Sequence, residues 1–185
     1  GTQPGGVGAA AAVVIVDNDA ITCANVGDVA VVLIQSSGAP VVLTTKHCKS
    51  NDEERKRVES SGAHWANGSR VNGVLRVSRA FGDGDFKGRK AVKAWKTQFS
   101  SDPVIAMPSI SVRKRSPSDA LVLVMTDGVV DGFGSECKAA LYVRRQVRKL
   151  GDLDKAAKAT LDEARARGSK DDLSLLICDL RDGLV

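Results

Sequence analysis

The chain has 185 residues, of which 43% are hydrophobic and 26% charged, and its formal net charge is +5. This composition is typical of a globular protein with a real core and excludes a disordered chain, and no apolar run is long enough to span a membrane. The basic charge suggests an acidic partner, but aromatic residues make up only 4% of the chain, which disfavours the base-stacking surfaces of nucleic-acid-binding modules.

The first part of the chain reads as strands around one charged helix. Residues 9–44 alternate apolar runs with short turns, which predicts consecutive antiparallel strands. A helix is predicted after Ser50, because Glu53 stands three residues on as in a capping box and Gly62 suits the end of a helix. Since this helix is nearly all charged, we expect it to lie on the surface. Residues 69–83 are predicted to form strand and turn.

The second part of the chain contains a buried strand and two helices. Residues 84–108 show no period and are predicted to form a long basic loop. The strand at 121–125 has no polar face, so we expect it to be covered on both sides. Helices are predicted at about 135–150 and 153–167 from their apolar faces, and a last strand follows. The order of elements predicts one α+β domain over residues 1–185.

Aspartates stand at the ends of three predicted strands, each in a turn that contains glycine. Asp28 precedes one apolar strand, Asp127 follows the buried strand, and Asp171 precedes the last strand. Aspartate is also a common turn residue that bonds its own backbone. If the three carboxylates converged, a hard cation such as Mg²⁺ or Mn²⁺ would relieve their repulsion. The residues alone leave open whether they converge.

Four segments of the chain carry a family resemblance. In chain order they are ANVGDVAVVL, RVNGVLRVSRAFGD, LVLVMTDGVVD and GSKDDLSLLICDL, and the second is long and specific. From about Ala10 to Leu180, the chain resembles the metal-dependent serine/threonine phosphatases of the protein phosphatase 2C (PPM) family. The resemblance implies an α+β fold of two packed antiparallel β-sheets flanked by α-helices, with the N-terminal strands incomplete and a two-metal centre at one end.

The resemblance also implies roles for individual acids. Asp127 and Asp171 match direct metal ligands, while Asp28 and Asp131 match acids of the outer shell or of a third, weaker metal site. The implied cofactors are two or three Mg²⁺ or Mn²⁺ ions, which would activate a water to attack phosphorus in line. The implied substrates are proteins that carry phosphoserine or phosphothreonine. No catalytic residue is assigned beyond the metal ligands.

The predicted basic loop lies where the family has a variable flap. Exposed lysines usually form no more than a solvated face. The functional hypothesis is that Lys90 and Lys93 bind acidic or multiply phosphorylated substrates by electrostatic steering.

The chain departs from the family pattern at several positions. The family's first acidic motif, of the Asp-Gly-His-Gly-Gly type, and its upstream phosphate-binding arginine are absent from this sequence. Lys46 stands where the family has aspartate, and Asp172 where it has asparagine. The two histidines, His47 and His64, lie in polar sequence and are predicted to be solvated. The alternative function is therefore a catalytically inactive relative that acts as a scaffold or protein-binding module.

The cysteines suggest neither a metal site nor a catalytic thiol. The four are far apart and include no CxxC pair, which favours an intracellular, reducing compartment, cytoplasmic or nuclear. The segment HCKSNDEER resembles the signature of cysteine-based phosphatases. Six residues separate Cys48 from Arg55 where that signature needs five, and the acids between them would raise the thiol pKa. We reject that function.

Overall fold

The computed structural model describes residues 7–181. The chain divides into two compact units. The first unit comprises the residues up to Ala11, Asn25–Asp28 and Thr45–Ser109, and the second comprises Ala12–Ala24, Val29–Thr44 and the residues from Ile110 onward. A single domain over the whole chain stays a prediction. No helix among the described residues is long and apolar enough to cross a membrane.

The elements are numbered in chain order. The strands are β1 (Gly8–Ala9), β2 (Ala11–Val16), β3 (Ala20–Val26), β4 (Ala30–Gln35), β5 (Val41–Val42), β6 (Trp65–Ala66), β7 (Arg70–Val71), β8 (Phe81–Gly82), β9 (Ser109–Lys114), β10 (Asp119–Met125) and β11 (Leu175–Asp179). The helices are α1 (Asp52–Ser60), α2 (Gly88–Trp95), α3 (Asp127–Phe133), α4 (Glu136–Leu150) and α5 (Leu153–Ala166), with a short 3₁₀ helix at Gly84–Phe86.

The second unit contains two packed sheets. One sheet has the strand order β11-β10-β4-β5 and the other β2-β3-β9, and β10 runs antiparallel to both of its neighbours. The two-sheet α+β architecture is therefore confirmed. The strands of residues 9–44 do not form one meander, because β2 and β3 belong to one sheet while β4 and β5 belong to the other.

Strands β4 and β10 are buried on both faces. Val31, Leu33 and Val122 pack toward the three-stranded sheet with Ile21 and Cys23. The alternate residues of β4 and β10 pack on the opposite face against α3, α4 and α5. This placement confirms the two-sided cover predicted for residues 121–125, and it explains why the strand has no polar face.

Strand β9 is apolar on its exposed side and polar on its other side. Ile110 and Val112 are 67% and 70% exposed, whereas Ser111 donates its hydroxyl to the Leu43 carbonyl at 2.7 Å. The Arg113 Nη2 atom lies 3.7 Å from Asp119 Oδ1, whose side chain is fully buried. The strand therefore reverses the usual pattern of a half-buried sheet.

Helix α1, in the first unit, differs from its prediction in two ways. Its N-cap is Asn51 and not Ser50, since the Asn51 side chain accepts hydrogen bonds from the N–H groups of Glu53 and Glu54. The helix is also not wholly on the surface, because Glu54 is only 2% exposed and Val58 is fully buried. The first difference is local, whereas Glu54 is buried by partners far away in sequence, Ser78 and Arg79.

The predicted basic loop is wrong over Gly84–Trp95, where a 3₁₀ turn and α2 form instead. Phe86 is buried, and its ring lies 5.1 Å from that of Trp95. The Trp95 Nε1–H group donates to the Asp85 carbonyl at 3.0 Å. These two aromatic residues anchor the segment, and the buried Ala91 lies four residues before Trp95 on one face of α2, a helical period that the sequence analysis missed.

Candidate metal centre

The two aspartates matched to direct metal ligands lie beside paired strand ends in the second unit. Met125, at the end of β10, pairs with Leu175, at the start of β11. Just beyond this pair, the Thr126 N–H donates to the Ser174 carbonyl at 3.1 Å, and the Ser174 N–H donates to Thr126 Oγ1 at 3.0 Å. The segments that carry Asp127 and Asp171 are thus fastened together.

Gly128 brings the two segments into backbone contact. A Cβ atom at this position would lie 2.7 Å from the Asp172 carbonyl oxygen and 3.0 Å from the Asp171 Cβ. The Ser169 hydroxyl donates to the Gly128 carbonyl at 2.8 Å. Only glycine fits this approach, which brings the segment after Asp127 against the segment that carries Asp171.

Each of the two carboxylates keeps one oxygen available. Asp127 Oδ1 accepts the Gly128 N–H and Asp171 Oδ1 accepts the Asp172 N–H, both at 2.9 Å. In the described part of the chain, neither Oδ2 atom accepts a protein hydrogen bond and neither residue forms an ion pair. Carboxylate oxygens are ligands of the kind that Mg²⁺ and Mn²⁺ prefer. The donor chemistry of this edge therefore fits such an ion.

The other acids of the predicted site are placed differently. Asp131 is exposed and lies four residues after Asp127, on the same face of α3. Asp28 belongs to the first unit. Among residues 7–181, no group of three or more His, Cys, Asp or Glu side chains is arranged to hold a metal ion. The roles given to Asp28 and Asp131 stay predictions.

The turn that carries Asp28 is held by a buried histidine. His47 is fully buried, so the prediction that it is solvated is wrong, whereas His64 is exposed as predicted. His47 Nδ1 accepts the Gly27 N–H at 3.0 Å, and Nε2 lies 2.9 Å from Ser109 Oγ. Burial and, secondarily, the charge of Arg79 lower the pKa of His47 to about 4. The imidazole is therefore neutral when it accepts from Gly27.

Sequence reasoning missed a buried ionic cluster in the first unit. Glu54 binds Arg79 at 2.6 Å and Arg57 at 3.0 Å, and it accepts the Ser78 hydroxyl at 2.6 Å. Burial alone would raise the pKa of Glu54, but these hydrogen bonds outweigh it and lower the pKa to about 2. The available signal was the three-residue spacing of Glu54 and Arg57 on one helix.

The lysines of the predicted basic loop do not share one environment. Lys90 and Lys93 are exposed on α2, which leaves them available for an acidic partner. Lys87 instead donates to the carbonyls of Ala80 and Gly82, each at 2.6 Å. Lys87 is therefore a tether within the first unit and not part of a solvated face.

Comparison with protein-family models gives one family over nearly the whole chain. The model described as protein phosphatase 2C matches residues 2–173. "Probable protein phosphatase 2C 68" of Oryza sativa subsp. japonica is 34% identical over 182 residues, which is 96% of this chain and 46% of that protein. "Probable protein phosphatase 2C 69" of Arabidopsis thaliana is 31% identical, with 92% and 43% covered. The chain spans less than half the length of these curated relatives.

Two solved structures superpose on most of this chain. A structure described as a phosphatase from a pathogenic strain of Toxoplasma gondii superposes with a TM-score of 0.72 at 30% identity, covering 85% of this chain and 47% of that one. A structure described as a C. elegans sex determining protein gives a TM-score of 0.68 at 27% identity, covering 88% and 37%.

Proposed function

Because this chain belongs to the protein phosphatase 2C family, we propose that it is a metal-dependent serine/threonine phosphatase of phosphoproteins. The proposed substrates carry phosphoserine or phosphothreonine, and the proposed cofactors are Mg²⁺ or Mn²⁺. The observation that supports this function is the contact between the segments of Asp127 and Asp171 through Gly128. In the proposed site, two carboxylates from separate strand ends would share one cation.

The roles proposed for the residues follow from their hydrogen bonds. When bound, the ions would lower the pKa of a coordinated water and neutralise charge on the phosphate. Asp127 and Asp171 would hold an ion through their Oδ2 atoms, because each Oδ1 is already oriented by a backbone N–H. Thr126 and Ser174 would keep the two ligands at a fixed separation through their paired hydrogen bonds.

Metal removal tests the proposed function. We expect the chain to hydrolyse a phosphothreonine peptide in Mn²⁺ or Mg²⁺, to lose this activity in excess chelator, and to regain it when the ion is restored. Phosphate release is the measurement, with Ca²⁺ as the ion control. Hydrolysis that the chelator leaves unchanged would contradict metal dependence. Mn²⁺ binding without hydrolysis would support the alternative, an inactive relative that serves as a scaffold or binding module.

We also propose that Lys90 and Lys93 favour acidic substrates. Their exposure on α2 supports this, because exposed charges attract a substrate of opposite sign at low salt. Reversing both charges to glutamate should lower kcat/KM for acidic phosphopeptides about tenfold at low salt and leave neutral phosphopeptides nearly unchanged. The matched control reverses Lys155 and Lys158, which are exposed on α5. An equal loss in both double variants would mean that only net charge matters.

A further inference from the structure

Helix α4 carries much of the positive charge of the chain. Its fifteen residues include five basic side chains and one acidic one, while the whole chain has a net charge of +5. The basic residues of its last turn, Arg148 and Lys149, also suit the helix dipole. The dipole does not explain Arg144 or Arg145, which lie before that turn.

Arg144 and Arg148 lie one turn apart on the flank of α4 that faces the turn after β4. Arg144 Nη1 donates to the Gly38 carbonyl at 2.8 Å, and Arg148 Nη2 donates to the Ser36 carbonyl at 3.1 Å. A guanidinium has five N–H donors, so each arginine is fixed by one bond and keeps donors for a ligand. Side chains that are already held lose less entropy on binding.

Between these arginines and the sheet is a small apolar cavity. Its volume is about 120 Å³, and it is lined by the apolar side chains of Ile34, Ala120, Leu121 and Val147 and by Gln35, Ser36, Arg144, Arg148 and Arg181. In another protein, an engineered apolar cavity of about 150 Å³ binds benzene. Because a leucine side chain has fewer carbon atoms than benzene, the present, smaller cavity accommodates one aliphatic side chain, and Arg144 and Arg148 are among the residues that line it.

We propose that this site binds an acidic peptide segment that carries one aliphatic side chain. The aliphatic group fills the cavity, and carboxylates on either side of it accept hydrogen bonds from Arg144 and Arg148. The site is formed at the Asp119 end of β10, roughly 20 Å from Asp127 at about 3.3 Å per residue. Binding there goes beyond the proposed hydrolysis and does not depend on it.

Fluorescence anisotropy with a defined probe tests this site. The probe is a short fluorescein-labelled peptide with one central leucine flanked by glutamates, and the comparison peptide has alanine in place of leucine. We expect the alanine peptide to bind about tenfold more weakly, because the cavity is left unfilled. Equal affinities would overturn the proposal, since the cavity would then play no part.

Paired charge variants of α4 test the arginines. The double variant Arg144→Gln with Arg148→Gln should weaken binding of the leucine peptide at least tenfold. The control, Lys138→Gln with Lys149→Gln, removes the same charge from the same helix and should weaken that binding less than threefold. Equal losses would overturn the proposal. If the arginine double variant does not fold by circular dichroism, Arg144→Lys keeps the charge but not the fork and should still lose about threefold. Equal binding of an oligothymidine competitor would assign the surface to nucleic acid instead.

Discussion

Replacing Asp127 by asparagine is expected to lower metal-dependent phosphopeptide hydrolysis by on the order of 100-fold. Substitution of groups that only support a metal ligand costs about 10- to 100-fold in affinity or activity, and Asp127 is proposed as a ligand itself. Asparagine has nearly the same shape and retains an oxygen that accepts the Gly128 N–H. The change therefore removes charge from the edge while leaving the local hydrogen bond in place.

Mn²⁺ binding separates loss of the ion from loss of the fold in this variant. Electron paramagnetic resonance of free Mn²⁺ should show weaker binding by Asp127→Asn, with an unchanged melting temperature. The matched control is Asp172→Asn, which alters an exposed acid in the same turn as Asp171 and should change the rate less than about threefold, as a surface substitution. If Asp127→Asn binds Mn²⁺ and turns over like the wild type, Asp127 is not a ligand.

Glu54→Gln is expected to lower the free energy of unfolding by about 3 kcal/mol. Removal of one partner from a buried ion pair leaves the other charges uncompensated and typically costs about 3–5 kcal/mol. Arg79 and Arg57 are 16% and 25% exposed, so water compensates them in part and the lower end applies. Urea unfolding at neutral pH is the measurement, because the variant changes the midpoint without a large change in exposed surface.

Acid titration provides a second measurement on Glu54. The folded-state pKa is lowered from 4.5 to about 2, so this contribution is fully present above pH 4.5 and is lost as the pH falls toward 2. The Gln variant should lack that part of the acid dependence. Glu53→Gln is the control, since Glu53 is exposed on the same helix, and it should change stability by about 0.5 kcal/mol or less. A Glu54→Gln midpoint equal to that of the control would contradict the role of the cluster.

The elements with strong local signals were predictable from the sequence. Strand β10 has six consecutive apolar residues and is covered on both sides, as predicted for residues 121–125. Helix α4 begins after Ser135, whose side chain accepts the Lys138 N–H, and it ends before Gly151. Its apolar period predicted nearly the same bounds, about 135–150. Here the local pattern and the tertiary structure agree.

The elements that depend on distant partners were not predictable. Helix α2 is too short to be stable by itself, and it depends on the contact of its last residue, Trp95, with the buried Phe86 that precedes the helix. His47 and Glu54 look like surface residues because their neighbours are polar. Both are buried, and they form hydrogen bonds with Gly27 and Arg79, which lie 20 and 25 residues away. Local polarity predicts exposure only when no distant side chain provides a partner.

The candidate metal centre was predictable from the sequence only in part. Periodicity placed Asp127 after a buried strand and Asp171 before another, but only the family resemblance suggested that the two meet. The contact between their segments depends on the pairing of Met125 with Leu175 and on the absence of a side chain at Gly128. Neither condition can be read from a pattern in one segment.

The reversed polarity of β9 makes that strand internally frustrated. A slip by one residue would turn Ile110 and Val112 inward and expose Ser111 and Arg113, which the hydrophobic effect alone would favour. The hydrogen bond from Ser111 to Leu43 and the proximity of Arg113 to Asp119 oppose that slip. The register of this strand is thus specified by polar partners against its own hydropathy, a local conflict of the kind that foldable sequences otherwise minimise.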